Sequence, residues 1–338
     1  MGLAALVRVD PGSRVGSASV PVYEVVMATW NGAEHLDRQL ASILGQRWQP
    51  ARLLVADDGS TDATLTLVRA WQQRSSVPIE LLPPVAERLG SCRNFERLLA
   101  ASRAPYVMPA DQDDIWDVDK AERLLVAMRQ LEERCGCDVP LLVHGDLRLI
   151  DREGRVFAAS FHRFQGLQPQ RNTWLAIALQ NVVTGCATLL NRACLEQALP
   201  FPPQAVLHDW WLALVAARLG QVAFLPEACT SYRQHGDNAV GAIGDRRQLL
   251  RRLRQAVNGG AASRLLEPGL HQLQTCAQRY PQGLTARQCR WLAQLTDGSP
   301  LRRWRAALGL GLRKHGLWRT AGFYAALTCW RPERLEAG

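Results

Sequence analysis

The chain has 338 residues, 47% of them hydrophobic and 11 of them Trp, which is ample for one large folded unit, with or without an appendage. Its nine Cys are scattered, with no Cys-x-x-Cys spacing, which excludes a disulfide framework and leads us to expect a reduced, cytosolic setting. The net charge of +9 belongs to the tail: residues 245–338 hold 17 Arg+Lys against 5 Asp+Glu, while residues 1–244 hold 23 against 26. Such asymmetry points to an anionic partner surface, lipid or nucleic acid.

Residues 1–20 read as an extension. Their apolar patch, Leu3–Val7, is too short for the core of a signal peptide. The longest uncharged run of the tail, 321–330, is far below the ~20 residues that span a bilayer. The expected location is cytoplasmic, either free or peripheral on the cytoplasmic face of the inner membrane.

Strand-like and helix-like segments then alternate. Val22–Ala28 is an apolar strand ending in the turn Thr29-Trp30-Asn31-Gly32, and helical spacing follows over 34–44 with Leu36, Leu40, Ile43 and Leu44 on one face. Arg52–Ala56 is a second strand, ending in Asp57-Asp58-Gly59-Ser60-Thr61-Asp62, where Thr61 or Asp62 caps a helix over 63–74. A short strand at 79–82 and a helix at 91–101 precede the strand Tyr106-Val107-Met108. This alternation predicts an α/β layer fold with a mostly parallel sheet, whose ligands bind outside the carboxyl ends of the strands.

The stretch Pro109-Ala110-Asp111-Gln112-Asp113-Asp114-Ile115-Trp116 places three carboxylates within four residues. They repel one another unless something positive compensates, and a hard divalent cation, Mg²⁺ or Mn²⁺, does so while keeping positions for phosphate oxygens. The other reading is a helix start, with Asp113, Asp114 and Asp117 offsetting the helix dipole.

Further on, a strand at 140–144 ends near Asp146, residues 151–171 are irregular, and 174–179 is helical. In Gln180-Asn181-Val182-Val183-Thr184-Gly185-Cys186-Ala187 a Gly precedes a small-residue strand, a place where backbone approaches a ligand closely. His208-Asp209-Trp210-Trp211 opens an apolar helix over 212–219, where Asp209 serves either as a reactive carboxylate or as an N-cap. Two short strands, 223–225 and 229–232, lead to Tyr232-Arg233-Gln234-His235. Beyond 243 the chain reads as helices at 248–257, 263–279, 286–295, 301–312 and 317–328, with Arg302, Arg303, Arg305, Arg313, Lys314 and Arg319 interleaved among large apolar residues. That basic amphipathic pattern fits either docking on an anionic membrane surface or packing against the preceding domain.

The three motifs in order, Thr29-Trp30-Asn31-Gly32, Asp57-Asp58-Gly59-Ser60-Thr61-Asp62 and Asp111-Gln112-Asp113-Asp114-Ile115-Trp116, resemble glycosyltransferase family 2 over roughly residues 22–240. The resemblance implies a GT-A fold, Rossmann-like, over 21–242, followed by a basic helical region over 243–338. It implies an inverting enzyme, with Thr29, Trp30 and Asn31 against the nucleotide and Asp57 accepting the ring N3–H of the base, while Asp58 shapes that pocket. Asp111 and Asp113 correspond to the metal-and-diphosphate motif, Asp113 coordinating the ion directly and His235 a further ligand. Asp146, Asn181, Thr184, Gly185, His208, Trp210 and Trp211 are implied on the sugar and acceptor side, one of the two Trp being core, and Arg233 beside the leaving diphosphate. Asp209 stands at the position of the catalytic base, with His208 where many members have Glu. The motif combination most resembles bacterial rhamnosyltransferase-like members, which use dTDP-L-rhamnose in surface polysaccharide synthesis. The implied partners are a dTDP- or UDP-sugar and a glycan or lipid-linked acceptor, with nucleic acid disfavoured. The competing reading is a sugar-nucleotide- or membrane-binding pseudoenzyme, against which Asp113 and Asp209 argue, because a binder needs no base.

Overall fold

The computed structural model describes residues 20–234 and 259–330; the expected helix over 248–257, residue His235 and nearly all of the N-terminal extension lie outside the described residues. One mixed sheet of nine strands organises what is described. Its first half follows the alternation read from the sequence. The elements are β1 (Tyr23–Thr29), α1 (Ala33–Leu44), β2 (Arg52–Asp57), α2 (Thr64–Arg74), β3 (Ile79–Leu81), α3 (Ser91–Ala101) and β4 (Tyr106–Ala110). The strands pair in parallel in the order β3-β2-β1-β4. Register sets Thr29 against Asp57 and Met27 against Ala110, so the turns after β1, β2 and β4 open on one edge.

The second half departs from parallel pairing. After β5 (Ile115–Trp116) and α4 (Lys120–Cys135) come β6 (Leu141–Ile150), β7 (Val156–Ala158), α5 (Phe161–Gln165), α6 (Trp174–Leu179), β8 (Thr188–Asn191), α7 (Arg192–Ala198), α8 (His208–Leu219) and β9 (Gln221–Arg233). β8 runs antiparallel to both β4 and β6, whereas β9 is parallel to β6 and antiparallel to β5. The two short strands expected at 223–225 and 229–232 are one long strand. Its pairing with β6 shifts register beside Gly145 and Asp146, where Pro226 and Glu227 bulge out to solvent and interrupt the apolar pattern.

Alternation along β1 explains why the run reads as continuously apolar. Val25 and Met27 face α1 and α4, while Val26 faces α3 and α8. The second layer includes the C-terminal helices α9 (Gly259–Arg279), α10 (Ala286–Asp297), α11 (Pro300–Gly309) and α12 (Leu317–Cys329). Leu270 and Leu273 of α9, Phe323 and Leu327 of α12, and Trp330 share one apolar cluster with Ile177 of α6 and Leu212 of α8. The packing alternative for the tail is therefore realised along these faces, although α11 and α12 keep other apolar residues exposed.

α9 is pressed on α6 at Gly269, where an added Cβ would lie 2.4 Å from the backbone oxygen of Ala178 and 3.4 Å from the Trp210 ring. Backbone cannot yield as a flexible side chain does. Gly269→Ala is expected to push α9 off α6 and to lower stability by ~1–3 kcal/mol, the range for overpacking, read as a shifted midpoint in urea unfolding.

Candidate active site

The turn after β1 is held by its neighbours rather than by itself. Asn31 has φ +46°, a left-handed conformation that Asn tolerates better than most residues. Its side-chain oxygen accepts from the N–H of Thr61 at 2.8 Å, and its own N–H donates to Ser60 Oγ at 2.8 Å. Gln112 grips the next peptide from the acidic stretch: Trp30 N–H donates to Gln112 Oε1 and Gln112 Nε2 donates to Trp30 O, both at 2.9 Å. A Cβ at Gly32 would sit 2.2 Å from Gln112 Oε1, so Gly is required for this clamp.

Asp57 and Asp58 divide their work differently from the expectation. Both oxygens of Asp57 are engaged within the turn, by Thr29 Oγ1, the N–H groups of Gly59 and Ser60, and Ser60 Oγ. Asp58 instead borders the cleft and accepts from the N–H of Leu89 at 2.7 Å and of Gly90 at 2.8 Å. This fixes Arg88, whose guanidinium lies 3.5 Å from the Trp30 ring centroid and 3.6 Å from Asp58. The open cleft, about 680 Å³, is walled by Thr29, Trp30, Asn31, Asp58, Arg88, Asp111, Gln112 and Asp113, with Arg152 and Tyr232 at its far side.

At the end of β4 the three carboxylates part company. Asp111 and Asp113 face the cleft, whereas Asp114 is fully buried. Burial, then Asp113 and Asp209, push Asp111 up to about 7. Burial followed by Asp113 and Asp111 also raises Asp114, whose Oδ1 accepts from the Arg233 N–H at 3.2 Å. Two cationic side chains support this turn from inside the protein. Lys120 is fully buried, its ammonium donating to Cys186 O and lying 3.4 Å from the Trp116 ring centroid, and burial pushes it down to about 8. Arg233 donates through Nε to Asp113 O at 2.9 Å and through Nη1 to the carbonyls of Asp151 and Arg152.

For a divalent cation, Asp111 and Asp113 are hard oxygen donors on the cleft side whose mutual repulsion a cation would relieve, so the residues fit the ion. A tighter group, Asp111, Asp114 and Cys186, has ligand atoms within 4.8 Å of one another, but Cys186 is a soft donor and its burial raises the thiol well above the usual range.

Asp209 opens α8 beside this turn. Its Oδ2 accepts from the N–H of Gly185 at 2.9 Å and its Oδ1 from Asn181 Nδ2 at 3.3 Å. Burial nevertheless dominates and pushes it up to about 6. Thr184, half-buried, precedes Gly185 at the start of the short 3-10 turn. His208 lies beneath Gly185, where a Cβ would be 2.3 Å from its Nε2, and stacks on Phe95 at 3.8 Å between centroids. Burial lowers it to about 3, so it is a neutral packing residue.

Several implied contacts are corrected by these positions. His208 is buried and does not face an acceptor. Trp211 is fully buried and donates to Ala198 O, while Trp210 donates to Ile177 O and packs on Gly269, so neither ring lies in the cleft. Asp146 is turned into the protein, held by Ser160 Oγ and His162 Nδ1, where it fastens α5 to β6. Arg233 is fully buried and braces the Asp113 loop through backbone carbonyls instead of facing a diphosphate. Arg88, Gln112 and Lys120 were not anticipated. Gln112 lay inside the acidic motif, whereas Arg88 and Lys120 belong to no pattern in the chain.

A family model, Glycosyl transferase family 2, matches residues 24–196, just over half of the chain. The dTDP-rhamnosyl transferase RfbG of Shigella flexneri is 27% identical over 229 residues, 64% of this chain and 74% of that protein. An uncharacterized protein of Mycobacterium tuberculosis is 26% identical over 231 residues, and the chain spans 62% of its length. Among solved structures, the mannosyltransferase PcManGT of Pyrobaculum calidifontis, in complex with GDP-Man and Mn²⁺, aligns with a TM-score of 0.50 at 18% identity, over 91% of this chain and 85% of that one. The parallel half-sheet with its three convergent turns, the mixed second half and these matches agree: the fold is GT-A, and the chain is a glycosyltransferase belonging to glycosyl transferase family 2.

Proposed function

We propose that the chain is an inverting, divalent-metal-dependent glycosyltransferase that moves a sugar, L-rhamnose being the first candidate, from a dTDP- or UDP-sugar to a glycan or lipid-linked acceptor in surface polysaccharide synthesis. The observation that carries the reading is Asp209, a carboxylate raised to about 6 and oriented by two hydrogen bonds, set beside the acidic turn of the cleft. The choice of sugar rests on the likeness to RfbG.

In this reading the base and ribose lie along Thr29, Trp30, Asn31 and Asp58, with Arg88 over the Trp30 ring and the diphosphate toward Asp111 and Asp113. An acceptor hydroxyl beside Asp209 gives its proton to the carboxylate as its oxygen bonds to the anomeric carbon. The bond from that carbon to the diphosphate oxygen breaks, and its electron pair leaves with the nucleoside diphosphate. Asp111 and Asp113 would hold the cation, which when bound neutralises charge on the leaving diphosphate. No covalent intermediate forms, so Cys186 remains a core thiol.

Asp209→Asn is expected to lower kcat by roughly 10²–10⁴-fold while donor affinity stays near the parent value in equilibrium binding. Because the reactive form is the carboxylate, activity is expected to fall tenfold per pH unit below about 6, a limb read from kcat/KM against pH. Gln112→Ala removes two hydrogen bonds from the Trp30 turn and is expected to raise the donor KM by ~10-fold, each bond contributing about 0.5–1.5 kcal/mol.

The deciding experiment is binding and turnover over a panel of UDP-, dTDP- and GDP-sugars with and without Mn²⁺, for the parent and for Asp113→Ala. Metal-dependent selection of one donor, lost in the variant, is the expected result. No response to any donor with any metal would sink the transferase reading in favour of the pseudoenzyme.

A further inference from the structure

Three basic residues of the tail, Arg313, Lys314 and Arg319, meet a distant basic segment that holds Arg171. Arg171 donates to the carbonyls of Arg313 at 2.8 Å and Lys314 at 2.9 Å. Arg319 donates in return to Gln165 O at 2.6 Å and Gly166 O at 3.0 Å, at the end of α5. The N–H of Gln168 reaches His315 Nδ1 at 3.0 Å, and the N–H of His315 reaches Gln180 Oε1 at 2.9 Å. These bonds fasten segment 313–319 to segment 165–171 as one plate.

Among the described residues, none of Arg163, Arg171, Arg313, Lys314 and Arg319 has a carboxylate partner, although eleven of the thirteen ion pairs found among them are made by Arg. The charged groups that bear on them are basic: Arg313 acts on Arg171, and Arg319 adds to burial in pushing Lys314 down to about 8. Carbonyl oxygens satisfy the donors of Arg171 and Arg319 but leave the net positive charge, which attracts anions from outside.

Large apolar side chains stand exposed around the same plate. Leu317 and Trp318, at the start of α12 between Lys314 and Arg319, are 87% and 78% exposed. Phe157 and Phe164 are 51% and 38% exposed and meet edge to face at 5.9 Å, and Phe164 directly precedes the Gln165 carbonyl that Arg319 holds. One exposed Leu is ordinary, but two aromatic groups and a Leu-Trp pair around unneutralised cations are not. Soluble anions would account for the charge alone. A bilayer accounts for both, since apolar side chains enter the headgroup–acyl boundary while basic groups meet lipid phosphates.

We propose that Phe157, Phe164, Leu317 and Trp318, with Arg313 and Lys314 beside them, form a docking face for an anionic bilayer surface. No helix among the described residues is long and apolar enough to cross a membrane, so this contact is interfacial. The face is also joined to the site: His315 bonds Gln180, the neighbour of Asn181, which holds Asp209. Where the transferase reading holds, a lipid-linked acceptor would approach the base from the docked surface; the docking itself does not depend on that reading.

The test is co-sedimentation of the full chain with phosphatidylcholine vesicles and with mixed phosphatidylcholine–phosphatidylglycerol vesicles, neither donor nor acceptor being present. Binding is expected only with the anionic lipid, weakened by salt, and reduced at least ~10-fold both in Leu317→Ala/Trp318→Ala and in Arg313→Glu. These residues are exposed, so thermal unfolding and donor binding are expected to match the parent. Brominated acyl chains are expected to quench tryptophan fluorescence in the parent and less in Trp318→Ala. Equal binding to neutral vesicles, no binding to anionic ones, or binding indifferent to both variants would overturn the proposal. So would Arg313-dependent binding of inorganic phosphate or duplex DNA without vesicle binding, which would assign the cations to another anion.

Discussion

Electrostatic repulsion among Asp111, Asp113 and Asp114 is the constraint that the surrounding structure is arranged to hold. Three carboxylates at one strand end would drive the turn open unless opposite charge or hydrogen-bond donors met them. The protein answers from beneath with Lys120, a fully buried ammonium on the face of Trp116, and with Arg233, which clasps the loop through backbone groups. Asp114 is thereby drawn inward, and Asp111 and Asp113 are left facing the cleft. Removing either cation would take away positive charge that offsets this cluster from inside the protein and would make its ionised form costlier still. The interior charges are thus part of what makes an acidic cleft possible, although neither touches it.

From this turn the order propagates sideways through Gln112. Because it both accepts from and donates to the Trp30 peptide, the acidic turn and the first turn cannot move independently. Asn31 and Ser60 then tie the first turn to the second, and Asp57 secures the second from within. Asp58, through two backbone donors, carries the order to the segment bearing Arg88. Four loops from separate strands and helices therefore behave as one surface.

Much of this was legible in the sequence, for physical reasons. Buried parallel strands leave continuous apolar runs, and the polar turns at their ends are marked by Asn, Asp and Gly, so β1, β2, β4 and α3 were readable almost to the residue. Thr29, Trp30, Asn31, Asp58, Asp111 and Asp113 do share a cleft, and Asn181 and Gly185 do meet Asp209. What the sequence does not encode is which way a polar side chain faces. Asp57 and Asp58 are adjacent and identical, yet one closes a turn and the other borders the cleft. Arg233 and Asp146 have the residue types of a binding site but are consumed by internal hydrogen bonds. His208 takes the place of an acid and becomes a neutral ring under a Gly. Orientation of this kind depends on contacts between residues far apart in the chain, 28 apart for the Asn181–Asp209 pair and 119 apart for Asp114–Arg233.

The position of Asp209 depends in turn on parts of the chain that carry no glycosyltransferase motif. Its partner Asn181 follows α6, and α6 is pressed between α8 and α9 with Gly269 against the Ala178 carbonyl. Gln180, at the same corner, receives the His315 N–H from the tail. Trp210, the residue after Asp209, bonds back to Ile177 of α6 and lies on Gly269 of α9. The C-terminal helices therefore hold Asp209 in place by fixing the two elements that orient it. A carboxylate raised by burial keeps its pKa only while the wall that excludes water stays closed. It follows that loosening α9 or segment 313–319 would lower the pKa of Asp209 toward that of a solvated acid without touching any residue of the cleft.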